Sequence, residues 1–413
     1  MRLLSAELVL PVTRAPLKNA AVAIDDGKII ELGPRTELKK KYPSADESHF
    51  PLLMPGLVNA HTHLELSGIP LISQHHDFVD WMIKLIAQKR ELSPQKMEND
   101  SAAEFSKFAK LGVTSVGDVA SHPVMLNAHR KSPLWSTLFF ELIGVREEDV
   151  LNRISLARTV LGEFNYRLGN SRPGLSLHAP FTVSKPLYLA GRKLAAEHNL
   201  ALCTHLAESR EETEFLLPGK GAITERLYPF VGWQEFKPKP ALCSPAQYLN
   251  DLIDENMTLI HCVEIPDDDL EIIARARAIV HCPRSNLNLT GKLAPIPKMI
   301  AAGATVALGT DSPASAGDDN LWSEIKKVFE LRDQYPGGKI KPSDILKMST
   351  INAARAIFRE HELGSITPGK TANLLALNLT GLPDDPEKLS EELIISGERN
   401  ISAVFWAGVS ASL

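Results

Sequence analysis

The chain has 413 residues, a formal net charge of −5, 44% hydrophobic residues and four cysteines. That length allows a large catalytic domain, because barrels of about 250 residues stand as one unit. Slight acidity without a basic run gives no electrostatic case for nucleic acid or an anionic membrane, and no apolar stretch approaches the roughly 18 residues of a span. Glu7 interrupts the first apolar run and no small-residue cleavage site follows it, so a signal peptide is not expected. Cys203, Cys243, Cys262 and Cys282 lack CxxC spacing, and three of them fall in expected buried strands. Reduced thiols in a cytoplasmic protein are therefore expected, and a zinc–cysteine site is not.

Along the chain, residues 1–53 alternate short strands with turns, as in Ala20–Ile24, Asp26-Gly27 and Lys28–Ile30. Between residues 54 and 364 the pattern changes to strand–helix alternation. Eight apolar strand candidates stand out: Leu57–His63, Thr114–Val119, Thr137–Val145, Gly174–His178, Ala201–His205, Met257–His261, Ala278–Cys282 and Thr305–Thr310. Helical periodicity separates most of them, in Asp77–Leu92, Asn99–Leu111, Glu148–Leu168, Pro186–His198, Pro266–Ala276 and Leu293–Ala302. Such alternation implies parallel strands with right-handed crossovers, and eight units suggest a (β/α)8 TIM-like barrel. Ser343–Arg359 is expected to cap it as one helix. Residues 365–413 return to short strands. Neither flank alone can bury a good core, so 1–53 and 365–413 are expected to fold together as a small β-sandwich.

Chemistry gathers at the strand ends. His61 and His63 end the first strand at i, i+2, which puts both imidazoles on one face. Alone, His-x-His means little. Yet the fifth strand ends in His205, with Glu208 three residues on, the sixth in His261, and the eighth in Asp311. In a closed barrel these ends share one face, where imidazole and carboxylate can hold a zinc or iron ion. His178 ends the fourth strand. His281 is expected to support the barrel, while His49, His129, His198 and His361 read as ordinary surface or helix residues.

Together the motifs PGLVNAHTHLE, HAPFTVS (178–184), HLAES (205–209), HC (261–262), HCPRSNLNL (281–289) and GTDSPAS (309–315) resemble the amidohydrolase superfamily, in its purine-deaminating branch. The resemblance spans almost the whole chain, and departs at Asn373, where the family usually has aspartate. It implies a hydrolase that releases ammonia from a nitrogen heterocycle. Two-metal members carry a bridging lysine late in the fourth strand. Gly174–His178 has none, so the resemblance implies one divalent metal, zinc first and iron as the alternative, held by His61, His63, His205 and Asp311. The metal would activate a water, Asp311 would accept its proton, Glu208 would protonate a ring nitrogen, and His261 would hydrogen-bond the attacking oxygen.

For the substrate, the resemblance points to His178 and Ser315 as polar contacts and to Trp81 on a lid helix. At the place where related nucleoside deaminases hold the ribose diol with glutamate, an ungapped count gives Arg90. An arginine suits a carboxylate, and His-Thr-His-Leu-Glu followed by Phe-x-x-Trp resembles the aminodeoxyfutalosine deaminases of menaquinone biosynthesis. Arg146 and Arg284 are other candidates for that benzoate, and a one-residue shift would put Glu91 at the diol. Alternatives are S-adenosylhomocysteine, methylthioadenosine, guanine or pterin deamination, another heterocycle hydrolase, and a non-catalytic scaffold relative. A small-molecule substrate and a homodimer are the expected partners.

Overall fold

The computed structural model describes residues 1–72, 77–164 and 169–410. Four strands come first: β1 (Arg2–Val9), β2 (Leu17–Asp25), β3 (Lys28–Pro34) and β4 (Asp46–Pro55). The barrel strands follow as β5 (Leu57–Thr62), β6 (Val113–Ala120), β7 (Trp135–Leu142), β8 (Ser171–Leu177), β9 (Ala201–Leu206), β10 (Thr258–His261), β11 (Ala278–His281) and β12 (Val306–Leu308). The chain ends with β13 (Leu374–Leu377), β14 (Ile401–Trp406) and β15 (Val409–Ser410).

Strands β5 to β12 lie in sequence order, and every neighbouring pair is parallel. The ring closes because Thr310 and Asp311 donate backbone N–H bonds to the His61 carbonyl (2.9 and 3.1 Å), while His63 N–H reaches the Asp311 carbonyl at 2.8 Å. Gly309 permits this approach. A Cβ there would stand 2.8 Å from both the Cβ and the carbonyl oxygen of His61. Alternate side chains fill the interior, including Val58, Val119, Phe139, Cys203, Ile260 and Val280. The opposite faces pack under the surrounding helices, as parallel strands buried on both sides require.

The expected capping helix is two helices, Pro342–Met348 and Ile351–Ala356. Thr350 breaks it, at φ −134° and ψ −99°. The Ser349 and Thr350 hydroxyls donate back to the Leu346 carbonyl at 3.1 and 2.6 Å, a competing bond that bends helices. The freed Ser349 carbonyl accepts the Val58 N–H of β5 at 2.9 Å. The cap therefore plugs the amino end of the barrel, where Thr137 and Thr258 hydroxyls donate to the carbonyls of Ile357 and Ala356. Each of the six helices expected between the strands is present, although the one expected from Asn99 begins at Pro94 and the one expected from Pro266 opens as the 3-10 turn Asp267–Asp269. The structure adds Met125–Lys131, Pro283–Thr290 and Leu321–Leu331. The helix expected over Glu148–Leu168 runs Asp149–Phe164, and its expected extension to Leu168 lies outside the described residues.

The two chain ends meet, and they do so in one hydrogen-bonded mixed sheet, ordered β15-β14-β13-β4-β1-β2-β3, where two packed sheets of a sandwich were expected. One face buries Leu4, Val22, Ile29, Leu53, Leu374 and Phe405 together, and the helix Arg35–Lys41 covers Leu3, Ala21 and Ala23 on the other with Leu38. Asn373 works in the turn, where its side-chain oxygen accepts the Ala407 N–H at 2.9 Å. Among the described residues, no helix is long and apolar enough to cross a membrane. All four cysteines are free, and Cys203, Cys262 and Cys282 are buried.

Candidate active site

The carboxyl ends of β5, β9, β10 and β12 bring together the side chains singled out from sequence. His61 and His63 project from β5 with rings 4.8 Å apart and nearly perpendicular. His63 Nε2 and His205 Nε2 face each other at 3.3 Å, and Asp311 Oδ1 lies 3.5 Å from His61 Nε2 and 3.7 Å from His63 Nε2. Local backbone serves this convergence. His261, Cys262 and Asp311 hold φ at 73°, 49° and 65°, and Ala207 at 50°. Non-glycine residues adopt that region only where surrounding structure enforces it, commonly at functional sites.

Neighbouring groups orient the cluster. His205 Nδ1 meets the His178 carbonyl at 3.0 Å, which puts the ring proton there and leaves the Nε2 lone pair free. Asp311 Oδ2 accepts from the Ser285 and Ser315 hydroxyls at 2.6 and 2.8 Å, which turns Oδ1 toward the histidines. Asn286 Nδ2 lies 3.0 Å from His261 Nδ1, and with the amide donating there the His261 proton resides on Nε2, 3.5 Å from Glu208 Oε1. Both ring nitrogens of His61 are buried without a hydrogen-bond partner. Buried polar atoms are normally paired, so these orphaned nitrogens fit a metal ion, and the ligand atoms of His61, His63 and Asp311, and those of His61, His205 and His261, lie within 4.8 Å of one another.

Electrostatics agree with a cation site. Burial holds His61 and His63 well below the ordinary histidine value and His205 down at about 4, leaving lone pairs available. Burial works to raise the Asp311 carboxyl, but the His261 and His63 rings and the two serine hydroxyls outweigh it and hold it low. Glu208 goes the other way: burial first, then the Asp311 and Glu212 charges, push it well up.

A cavity of about 310 Å³ adjoins the cluster, at the lower end of ligand-pocket sizes. Its lining joins the polar His63, His178, His205, Glu208, His261 and Asp311 with the apolar Trp81, Met82, Leu85, Ile86, Phe181 and Trp233. His178 lines the cavity at the end of β8, its Nδ1 2.5 Å from the Thr182 hydroxyl. Trp81 donates Nε1–H to the Ala314 carbonyl at 3.2 Å.

Other expectations need correction. Arg90 does not line the cavity. It is exposed and stacks over Phe230 at 5.0 Å. Nine residues beyond Trp81 is about two and a half helical turns, which points the side chain away, whereas Lys89 returns to the cavity face. Glu91 is exposed at the helix end and does not line the cavity either. Arg146 pairs with Glu148 at 3.5 Å and Arg284 with Asp318 at 2.6 Å, and neither lines the cavity. Ser315 is fully buried and holds Asp311 rather than facing the cavity. His129 sits on a helix as expected but is buried, its Nε2 2.8 Å from Asp118 Oδ2.

Sequence reasoning missed three charged cavity residues. Glu65 is buried, accepts the Ser121 and His122 N–H groups at 3.1 and 3.0 Å, and pairs closely with Lys89. Lys89 also donates to the Ser121 hydroxyl at 2.9 Å. Burial raises the Glu141 carboxyl to about 7 despite the neighbouring His205 ring and the Lys89 charge. Glu65 stands inside the His-Thr-His-Leu-Glu run, and Glu141 is a lone carboxylate near the end of a barrel strand, the same signal that marked His205.

A parallel eight-stranded barrel carrying a buried His/Asp cluster beside a cavity at its carboxyl end defines a class of metal-centred hydrolases. Residues 52–410 match the amidohydrolase family, and the chain belongs to it. Residues 20–45 also match an imidazolonepropionase-like composite domain of bacteria. The chain is 28% identical over 379 residues to a 5-methylthioadenosine/S-adenosylhomocysteine deaminase of Desulfovibrio desulfuricans, covering 89% of this chain and 81% of that one. It is 32% identical over 351 residues to an aminodeoxyfutalosine deaminase of Deinococcus radiodurans, covering 81% of each. Its fold superposes on the Helicobacter pylori aminofutalosine deaminase in complex with methylthio-coformycin with a TM-score of 0.85, at 23% identity and full coverage of both chains.

Proposed function

We propose that this chain is a metal-dependent hydrolytic deaminase acting on the 6-amino group of an adenine nucleoside, with aminodeoxyfutalosine the first candidate. The observation that carries the reading is the position of Glu208. It is buried, lies 3.5 Å from His261 Nε2 and shares the cavity wall with Asp311. His61, His63, His205 and Asp311 would hold one divalent ion, zinc first because imidazole and carboxylate are its ordinary ligands, iron second. Bound there, the ion lowers the pKa of a water and so supplies a nucleophile near neutral pH. Asp311, beside that water, accepts its proton and passes it to the departing amine, so that the C–N bond breaks and ammonia leaves. Glu208 delivers one to a ring nitrogen of the base, making the amine-bearing carbon electrophilic. His261 Nε2–H hydrogen-bonds the incoming oxygen, a contribution of a few kcal/mol at about this range. Apolar walls exclude water from the exchange.

Similarity to the D. radiodurans relative supports aminodeoxyfutalosine as the substrate; a cytoplasmic place in menaquinone biosynthesis is part of the same proposal and rests on that substrate alone. A second reading, a methylthioadenosine-type nucleoside, draws on the cavity itself: Lys89, the lining cation among the described residues, is already engaged by Glu65, and Trp81, Met82, Leu85, Ile86 and Trp233 add apolar lining. Ammonia release from aminodeoxyfutalosine, methylthioadenosine, S-adenosylhomocysteine and 5′-deoxyadenosine ranks the two. Glu208→Gln should retain metal while turnover falls by about 10³-fold. Full turnover in that variant removes Glu208 from the reaction, and no ammonia from any of the four nucleosides removes the activity.

A further inference from the structure

Glu212 lies in the first turn of the helix Arg210–Leu216, one turn past Glu208, with a side chain 1% exposed. Its carboxylate turns back on the chain. Oε1 accepts the Ala207 N–H at 3.0 Å and Oε2 the Glu208 N–H at 3.3 Å. Among the described residues no lysine, arginine or histidine forms an ion pair with it, so the acid is buried on two backbone amides alone. A buried carboxylate without a cation is costly, and a turn that needed only filling would be served by an apolar side chain.

The turn it grips is the one that aims Glu208. Ala207 holds φ at 50°, a region an alanine leaves unless held. On its other side the same turn is tied to the end of β10. The Leu206 carbonyl accepts the Cys262 N–H at 3.0 Å, and the Ala207 carbonyl accepts those of Val263 and Glu264 at 2.9 and 2.8 Å. Two strained turns, one presenting Glu208 and the other His261, are thereby joined edge to edge. The carbonyls of 206 and 207 are spent on β10, and the amides of 207 and 208 are left to Glu212. Removing that acceptor leaves two buried donors unpaired and the φ of Ala207 unsupported, and both faults relax most easily by rotating the Glu208 peptide.

We propose that Glu212 is a positioning residue, whose grip on the Ala207 and Glu208 amides fixes the Glu208 carboxyl against His261 and the cavity. The inference rests on the proposed proton-transfer role of Glu208. Glu212→Gln keeps one good acceptor and Glu212→Leu keeps none, so a graded loss is expected: kcat down about tenfold and about 100-fold, with KM within about twofold. Metal content by elemental analysis should stay at the parent value in both. Glu208→Gln/Glu212→Gln should be no slower than Glu208→Gln alone, because a misaimed carboxyl that is already absent costs nothing further. Parent kcat in folded Glu212→Gln and Glu212→Leu, alongside an inactive Glu208→Gln, overturns the positioning role alone. Losses that add in the double variant, or that track lost metal, also overturn it. Should Glu212→Leu not fold, the Gln variant and the double variant decide the matter. An active Glu208→Gln instead removes the reading beneath it.

Discussion

Two carboxylates, Glu47 in the chain-end sheet and Glu208 at the barrel mouth, sit in opposite surroundings. Glu47 meets Lys39 Nζ at 2.8 Å, the Ser5 hydroxyl at 2.8 Å and Arg35 Nε at 2.7 Å, and these partners, Lys39 foremost, hold its carboxyl down at about 2. Burial first, then the neighbouring Asp311, Glu212 and Glu211 carboxyls, push Glu208 up. In the sheet, charge is paired off and serves to hold strands and helix together. At the barrel mouth like charges and neutral imidazoles are crowded, an arrangement that costs stability and is found where chemistry is done. The lesson is that burial without partners marks the site more sharply than residue type does.

The largest way to break the contrast is to remove the group the crowding converges on. Asp311→Asn should cut metal occupancy and lower ammonia release by at least about 10³-fold, equivalent to about 4 kcal/mol. Elemental analysis and turnover on the same sample check this, and turnover within tenfold of the parent would refute the assignment. A smaller effect sharpens the comparison inside the barrel mouth, where Glu65 is the one cavity carboxylate with a lysine partner among the described residues. Lys89→Met leaves Glu65 charged and buried and should destabilise the fold by about 3 kcal/mol in urea denaturation. Adding Glu65→Gln should recover part of that. Equal losses in the single and double variants would show that the pair is not coupled.

The smallest effect belongs to the sheet. The Glu47 carboxyl is depressed from its ordinary 4.5 to about 2 in the folded chain. Its stabilisation is therefore present above about pH 4.5 and fades as pH falls toward 2. Glu47→Gln should lose no more than about 1 kcal/mol at pH 7, since Lys39 is well exposed and Arg35 partly so. Between pH 4.5 and 2 its stability should fall less steeply than the parent's. Parallel acid limbs would show that the depressed value contributes nothing to folding.

How legible the molecule was differs by element. Strand ends were readable because an apolar β-branched run that stops at His or Asp carries both its secondary structure and its chemistry in a few residues. His61, His63, His205, His261 and Asp311 were found that way, and all five meet. Helix phase was not readable to one residue. Lys89 and Arg90 differ by about 100° around the axis, and only the packing of Trp81 against the cavity decides which faces inward. Ser315 looked like a substrate contact because its motif follows Asp311, yet four residues of helix turn it back onto the Asp311 carboxylate. The break at Ser349-Thr350 had no sequence mark beyond two hydroxyl residues in an otherwise helical stretch.

The sequence by itself determined the order of strands and helices, the parallel barrel they build, and the side chains delivered to its carboxyl end. Those follow from local periodicity and from the fact that crossovers between parallel strands run one way. Tertiary structure alone decided which of those side chains keep free lone pairs, which are turned away, and that Glu65, Glu141, Asn286 and Glu212 belong to the site. Such choices depend on hydrogen bonds between residues far apart in the chain, His205 to the His178 carbonyl and His261 to Asn286 among them. A one-dimensional pattern does not record those distances.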